Sequence, residues 1–293
     1  MATASHSAAA WPVAAASLDA ANAVYRGRPQ QIAGAVGVGL FLCWIAYQLV
    51  TNAAFRWHVV GEYIFSAPVL AGVQMTLFLT FLTLLLGSLL GIALAVMRLS
   101  HNPILNMSAS AYVWFFRGVP SLVQLIFWFN FASLFPTIEL GIPFGGPKLL
   151  SIATNDAVTP LVAALLGLGL VEAAYMGEII RGGILSVDAG QVDASRALGM
   201  KPFYRLRRII LPQAMRSIIP SASNQFISLL KWTALASVVS LGELLLATQT
   251  IYNRNFQVIP LLTVAALWYL LLTSIFTLVQ MRIEAYFSRG HRR

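Results

Sequence analysis

The chain alternates between long apolar stretches with few or no charged residues and more polar connections, and the stretches have the length of membrane spans. A helix of about 20 apolar residues crosses ~30 Å of hydrocarbon. Six runs come near or exceed that length, over about residues 33–54, 69–97, 109–135, 160–182, 222–248 and 259–283. The second contains VLAGVQMTLFLTFLTLLLGSLLGIALAV without a charge; most are long enough to span with some tilt. The pattern predicts an all-α membrane protein with about six transmembrane helices. The first 30 residues are rich in Ala and Ser, carry no apolar period, and are expected to be disordered. The run after them admits two readings: a signal peptide cut near Ala53 or Ala54, or an uncleaved first helix. A signal core has about 7–15 apolar residues behind a shorter lead, which favours the uncleaved helix.

Composition agrees with lipid as the main solvent. Of 293 residues, 58% are hydrophobic and 10% charged, against about 25% charged in a soluble domain. The net charge of +9 would suggest nucleic acid on a soluble protein, but its distribution gives another cause. With the N-terminus inside, fourteen of the nineteen Lys and Arg fall on inner segments, seven of them between residues 181 and 221. Only Arg56, Lys148 and Arg254 fall outside, and Arg117 and Lys231 lie within spans. This is the positive-inside bias of a multi-pass protein with both termini cytoplasmic, and no nucleic-acid partner is implied. The single cysteine, Cys43, excludes an internal disulfide framework. Four scattered histidines indicate no metal site. Residues 136–159, rich in Pro and Gly, predict an irregular outer loop with room for a short interfacial helix.

The 181–221 segment breaks the apolar pattern. Asp188, with Gln191 three residues on, has the spacing of a capping box. Ala194, Ala197 and Leu198 then share a helix face, Gly199 is placed to end it, and Pro202 to start a second helix. Pro212 and Pro220 are expected to break or kink that second helix and its continuation. The result is a short helical hairpin in the cytoplasm, too polar for lipid and suited to docking on a soluble partner.

Here the chain resembles the permeases of ABC importers. Asp193-Ala194-Ser195, three residues, Gly199, nine residues, then Ile209-Ile210-Leu211-Pro212 matches the EAA loop pattern EAA-x3-G-x9-I-x-L-P, with Asp for Glu and Ser for the second Ala. Further stretches narrow the resemblance to the polar amino-acid permeases for histidine, glutamine, arginine, opines and their relatives. They are Phe116-Arg117-Gly118-Val119-Pro120 with Gln124, Ala174-Tyr175-Met176-Gly177-Glu178-Ile179-Ile180-Arg181-Gly182, Gly190-Gln191, Leu211-Pro212-Gln213-Ala214 and Leu230-Lys231-Trp232-Thr233.

The resemblance implies a domain organisation and a set of partners. A disordered tail, 1–30, precedes an extra N-terminal helix and outer loop, 31–64. The five-helix permease domain occupies 65–285, with its coupling loop at 181–221, and a basic tail closes the chain at 286–293. Two permease subunits, identical or related, form the pathway in the bacterial inner membrane. A periplasmic or lipid-anchored binding protein delivers the amino acid. An ABC ATPase dimer, which holds the ATP and Mg, docks on the coupling helix. The coupling role passes to Asp193, Ala194, Ser195 and Gly199, where small side chains allow close approach and Gly199 a left-handed turn. No G-x-x-x-x-G-K-[ST] loop occurs in this chain, so no bound cofactor and no ATP hydrolysis are expected of it by that route.

Ionisable residues inside a span are costly and mark functional candidates. At 1.5 Å per residue, Arg117 and Lys231 lie about 12–13 Å from the inner ends of their spans, and Glu172 about 18 Å from an outer end. These three either meet the charges of a zwitterionic substrate near the midplane or neutralise one another to hold helices together. Glu172 stands where many relatives carry a neutral polar residue. Glu178 and Arg181 read as a structural pair on one helix face; Gln124 and Asn224 are further pore-lining candidates. The chain departs from the family at Lys231-Trp232-Thr233-Ala234, where Asp or Asn follows the Lys and Ser follows the Thr. Trp232 either faces lipid or a neighbouring helix, or narrows the pathway. Three alternatives stand beside an amino-acid permease: an ion-driven secondary transporter, a membrane enzyme or sensor subunit, and an ABC permease for an opine or another small polar solute.

Overall fold

The structure, a computed structural model, describes residues 28–141 and 148–287. Expectations for residues 1–27 and for the basic tail from 288 onward lie outside the described residues. The chain divides into two units, Met1–Arg56 and Trp57–Arg293.

The first unit contains one long helix, α1 (Arg28–Thr51), with a mean hydropathy of 1.8 over Gln31–Thr51. Its apolar side chains point in every direction: Val36, Leu40, Phe41, Trp44 and Tyr47 are all exposed. A helix apolar all round needs lipid or a full protein jacket. It ends at Thr51, slightly before the expected 54, because the Asn52 side chain accepts from the Ala54 amide and starts a tighter turn.

The second unit begins with a short helix, α2 (Trp57–Tyr63), then α3 (Ala67–Arg98), a span of 32 residues. Its closest neighbour is α7 (Pro160–Leu185). Glycines on both helices bring the backbones together, the usual means of helix association in lipid. A Cβ on Gly87 would stand 2.7 Å from Cγ of Glu172, and one on Gly91 2.8 Å from Cβ of Met176. Phe78, Leu85, Leu89 and Ile92 remain exposed elsewhere on α3.

Two expected spans are broken. The run at 109–135 folds as α4 (Pro103–Gly118) and α5 (Ser121–Phe129), bent by 97°. Pro120 lacks an N–H and forces Val119 out of the helical region, to φ −92° and ψ 130°. The run at 222–248 lies in a helical stretch that begins earlier. It passes through α9 (Pro202–Arg205), a π turn (Leu206–Ile210), α10 (Leu211–Trp232) and a 3-10 turn (Thr233–Val239). After a break, α11 (Leu244–Asn255) continues at 46°. Pro212 and Pro220 do not stop this stretch. The wider π turn immediately precedes Leu211 and Pro212, where a normal helical bond to the proline nitrogen is unavailable. The last span is α12 (Val258–Phe287).

The outer loop corrects the expectation of irregular chain. It forms an antiparallel pair, β1 (Thr137–Gly141) and β2 (Lys148–Ala153), with Ile138 opposite Ile152 and Glu139 opposite Ser151, and then a four-residue helix α6 (Thr154–Ala157). The Pro- and Gly-rich segment 142–147 lies outside the described residues. On the other side of the spans, α8 (Ala189–Ala197) and α9 make the expected hairpin.

Candidate translocation pathway and coupling surface

The coupling hairpin is built by local chemistry. The Asp188 carboxylate accepts from the Gln191 amide at 3.1 Å and caps α8. Gly199 sits at φ +68° and donates to the Arg196 carbonyl, while Met200 donates to that of Ser195. A left-handed residue at this point suits glycine. Asp193 and Ala194 are exposed, and Asp193 pairs with Arg196 at 2.9 Å. Ser195 is turned inward, 3% exposed, its hydroxyl donating to the Val192 carbonyl. The outer face carries Ala194, Ala197 and Leu198, with Phe203 and Tyr204 nearby in sequence; Leu198 is 81% exposed. A polar hairpin that presents so large an apolar side chain to water has the character of a contact surface.

Within the spans the charged residues fall into separate groups. Glu178 on α7 collects three guanidinium groups: Arg98 from the end of α3, Arg117 from the end of α4, and Arg181 one turn further along α7. Arg181 bonds both carboxylate oxygens at 3.1 Å, and Arg117 approaches to 3.9 Å. The expected Glu178–Arg181 pair is therefore one part of a cluster with a surplus of positive charge. Arg117 is its most exposed member, and its guanidinium also lies 5.0 Å from the centre of the Tyr175 ring, within cation–π range. Tyr175 also meets Trp232, with ring centroids 5.6 Å apart. Trp232 is thus half-buried against a helix neighbour. Arg117, Tyr175 and Trp232 connect α4, α7 and α10, and Lys231 beside them is exposed.

Glu172 lies apart from Arg117 and Lys231 in its bonding. It is fully buried, its Oε2 accepts from the Gln225 side chain at 2.8 Å, and its Oε1 has no partner. No ion pair joins Arg117, Glu172 and Lys231 among the described residues, so the three do not converge on one point in this conformation. Gln124 is buried and donates to the Phe116 and Val119 carbonyls at 3.1 and 3.0 Å, which braces the α4–α5 bend. Asn224 is exposed and accepts from Gln280 at 2.9 Å.

Sequence reasoning missed Glu243. It lies at the break before α11, fully buried, and accepts from the Leu245 and Leu246 amides and from the Tyr269 hydroxyl at 2.7–2.9 Å. The rule for intramembrane acids that singled out Glu172 applies equally to Glu243. Gln225, the partner of Glu172, carried no signal of its own.

Comparison with known proteins agrees with this architecture. The family of binding-protein-dependent transport system inner membrane components matches residues 87–290, and the chain belongs to it. It is therefore a multi-pass inner-membrane permease, a transport subunit and not an enzyme. It is 42% identical to the arginine transport system permease protein of Corynebacterium glutamicum, over 89% of this chain and 81% of that one. It is 36% identical to the L-cystine transport system permease protein of Bacillus subtilis, over 82% and 95%. The nopaline transport system permease protein of Agrobacterium fabrum is 35% identical, over 73% and 86%. Among solved structures, an amino acid ABC transporter crystallised with histidines superposes with a TM-score of 0.64 at 32% identity, covering 75% of this chain and 94% of that one. The family sets aside the secondary-transporter and membrane-enzyme alternatives.

Proposed function

We propose that this chain forms the membrane pathway of an ATP-driven importer for a polar amino acid of the cationic, arginine-like class. A separate ATPase dimer drives it through α8. The apolar face of the hairpin carries the coupling reading: Leu198, Phe203 and Tyr204 are all strongly exposed there, which suits a protein contact. Asp193 and Ala194 share that exposed face, Gly199 shapes its end, and Ser195 packs inward to fix the helix against its own base. The basic bias of the 181–221 segment supports a hairpin, and both termini, on the cytoplasmic side. A binding protein on the opposite side and a second permease, identical or related, complete the assembly.

The substrate class rests on the 42% identity to an arginine permease and on the chemistry of the spans. Arg117 and Lys231 are exposed cations beside Tyr175 and Trp232, and they suit the substrate carboxylate. The Trp232 ring, next to the Tyr175 ring that Arg117 already covers, suits a cationic side chain. Glu172 acts at a distance, as the buried acid that biases this region toward cations. The test is uptake by the complete transporter in vesicles: ATP-dependent accumulation of arginine above that of glutamine and nopaline is expected. Preferential uptake of an opine or of a neutral amino acid would replace this substrate class and leave the coupling reading standing.

A further inference from the structure

A second cavity shares no lining residue with the Arg117–Tyr175–Trp232 group. It measures ≈ 730 Å³ and lies where α7, α10 and α12 meet on the side of the coupling hairpin. Its walls include Ser186, immediately after α7, and Phe287, the last residue of α12. The apolar spans thus give way to the polar hairpin at this level, which is the level of lipid headgroups.

The lining divides by chemistry. Met281 and Phe287 give apolar wall, Gln213 and Ser217 neutral polar groups, and Arg216 and Glu284 one full charge of each sign. Arg216 is exposed. Glu284 is half-buried and held in place: its Oε1 accepts from Gln280 at 2.7 Å, and Gln280 is itself bonded to Asn224 on α10. Its second oxygen makes no hydrogen bond among the described residues.

We propose that this cavity binds the headgroup of an aminophospholipid, phosphatidylethanolamine in chemical type, from the adjacent leaflet. Arg216 takes the phosphate, for which a guanidinium is matched in charge and geometry. Glu284 takes the ammonium, and the first part of an acyl chain lies along Met281 and Phe287. A lining with one cation and one anion matches a zwitterion better than an anionic lipid. Glu284 further selects ethanolamine over choline, since a quaternary ammonium has no N–H to donate. A water-soluble zwitterion would leave the apolar wall unfilled. With the hairpin in the cytoplasm, the leaflet is the inner one.

The experiment is native mass spectrometry of the assembled permease–ATPase complex, extracted from vesicles of equal phosphatidylethanolamine, phosphatidylglycerol and phosphatidylcholine. Retention of the ethanolamine lipid about tenfold above the other two is expected, as charge-assisted hydrogen bonds of this kind allow. Arg216→Gln and Glu284→Gln should each lower that retention by about the same factor, and Glu284→Gln should also erase the preference over phosphatidylcholine. Only complexes that elute intact are compared, so a folding defect is not scored as lost binding. Equal retention in wild type and both variants overturns the proposal. So does preferential retention of phosphatidylglycerol, or the absence of retained lipid because the ATPase covers the cavity. Each readout is independent of which solute is carried.

Discussion

The Gln225 side-chain amide donates to the Glu172 carboxylate at 2.8 Å, tying α10 to α7 through a fully buried acid. The second oxygen of Glu172 has no partner, so the acid is held without being saturated. Glu172→Gln keeps an oxygen for Gln225 and should leave assembly with the ATPase intact. It should lower the uptake ratio of arginine to glutamine several-fold, roughly 3–10-fold for about 1 kcal/mol of altered preference. Unaltered uptake across an amino-acid panel would remove Glu172 from substrate selection.

The α3–α7 contact makes a prediction about packing. A methyl group on Gly91 would stand 2.8 Å from Cβ of Met176 and 3.0 Å from the Gly177 nitrogen, inside normal contact and partly against backbone. Gly91→Ala should destabilise the protein by about 1–3 kcal/mol through overpacking. Gly61, with open space around its Cβ direction, should tolerate the same change. Thermal unfolding of the two variants in one detergent provides the comparison.

The Glu178 cluster predicts an asymmetry. Removing one of three guanidiniums leaves the carboxylate paired, whereas removing the carboxylate leaves three cations facing one another. Arg181→Gln should therefore cost about 1 kcal/mol or less, since its side chain is 28% exposed. Glu178→Gln should cost about 2–3 kcal/mol, below the figure for a fully buried pair because Glu178 is 20% exposed. Chemical unfolding of both variants checks the order.

Glu243 supplies three acceptor bonds at the break before α11. Glu243→Ala should lower stability by about 2–3 kcal/mol, from loss of the cap and of the Tyr269 partner. Glu243→Gln should recover part of this, because its amide oxygen still accepts. Equal stability of the alanine variant and wild type would contradict the capping role.

Local chemistry was the legible part of this chain. Asp188, Gly199 and Pro202 set the hairpin through neighbours in sequence, and the apolar runs placed the spans to within a few residues at several ends. The bends were less legible: Pro120 stands at the first, but the second turns on Ser240, held at φ +60° by the fold, and each apolar run covers both of its half-helices. The strands Thr137–Gly141 and Lys148–Ala153 are only five and six residues long, and the Pro and Gly in the sequence between them hid so short a period. The Arg98–Glu178 and Glu172–Gln225 bonds join residues 80 and 53 apart. Such pairings depend on the depth and rotation of neighbouring helices, which one sequence does not encode locally.

The most direct measurement places a cysteine at Leu198, the exposed tip of the coupling surface, and seeks a disulfide or bifunctional crosslink in the native complex. A product containing the ATPase subunit is expected, formed from reagent on the cytoplasmic side, with its yield altered by nucleotide. No product with any nucleotide-hydrolysing subunit, or labelling of Leu198→Cys from the outer side of intact cells, would contradict it.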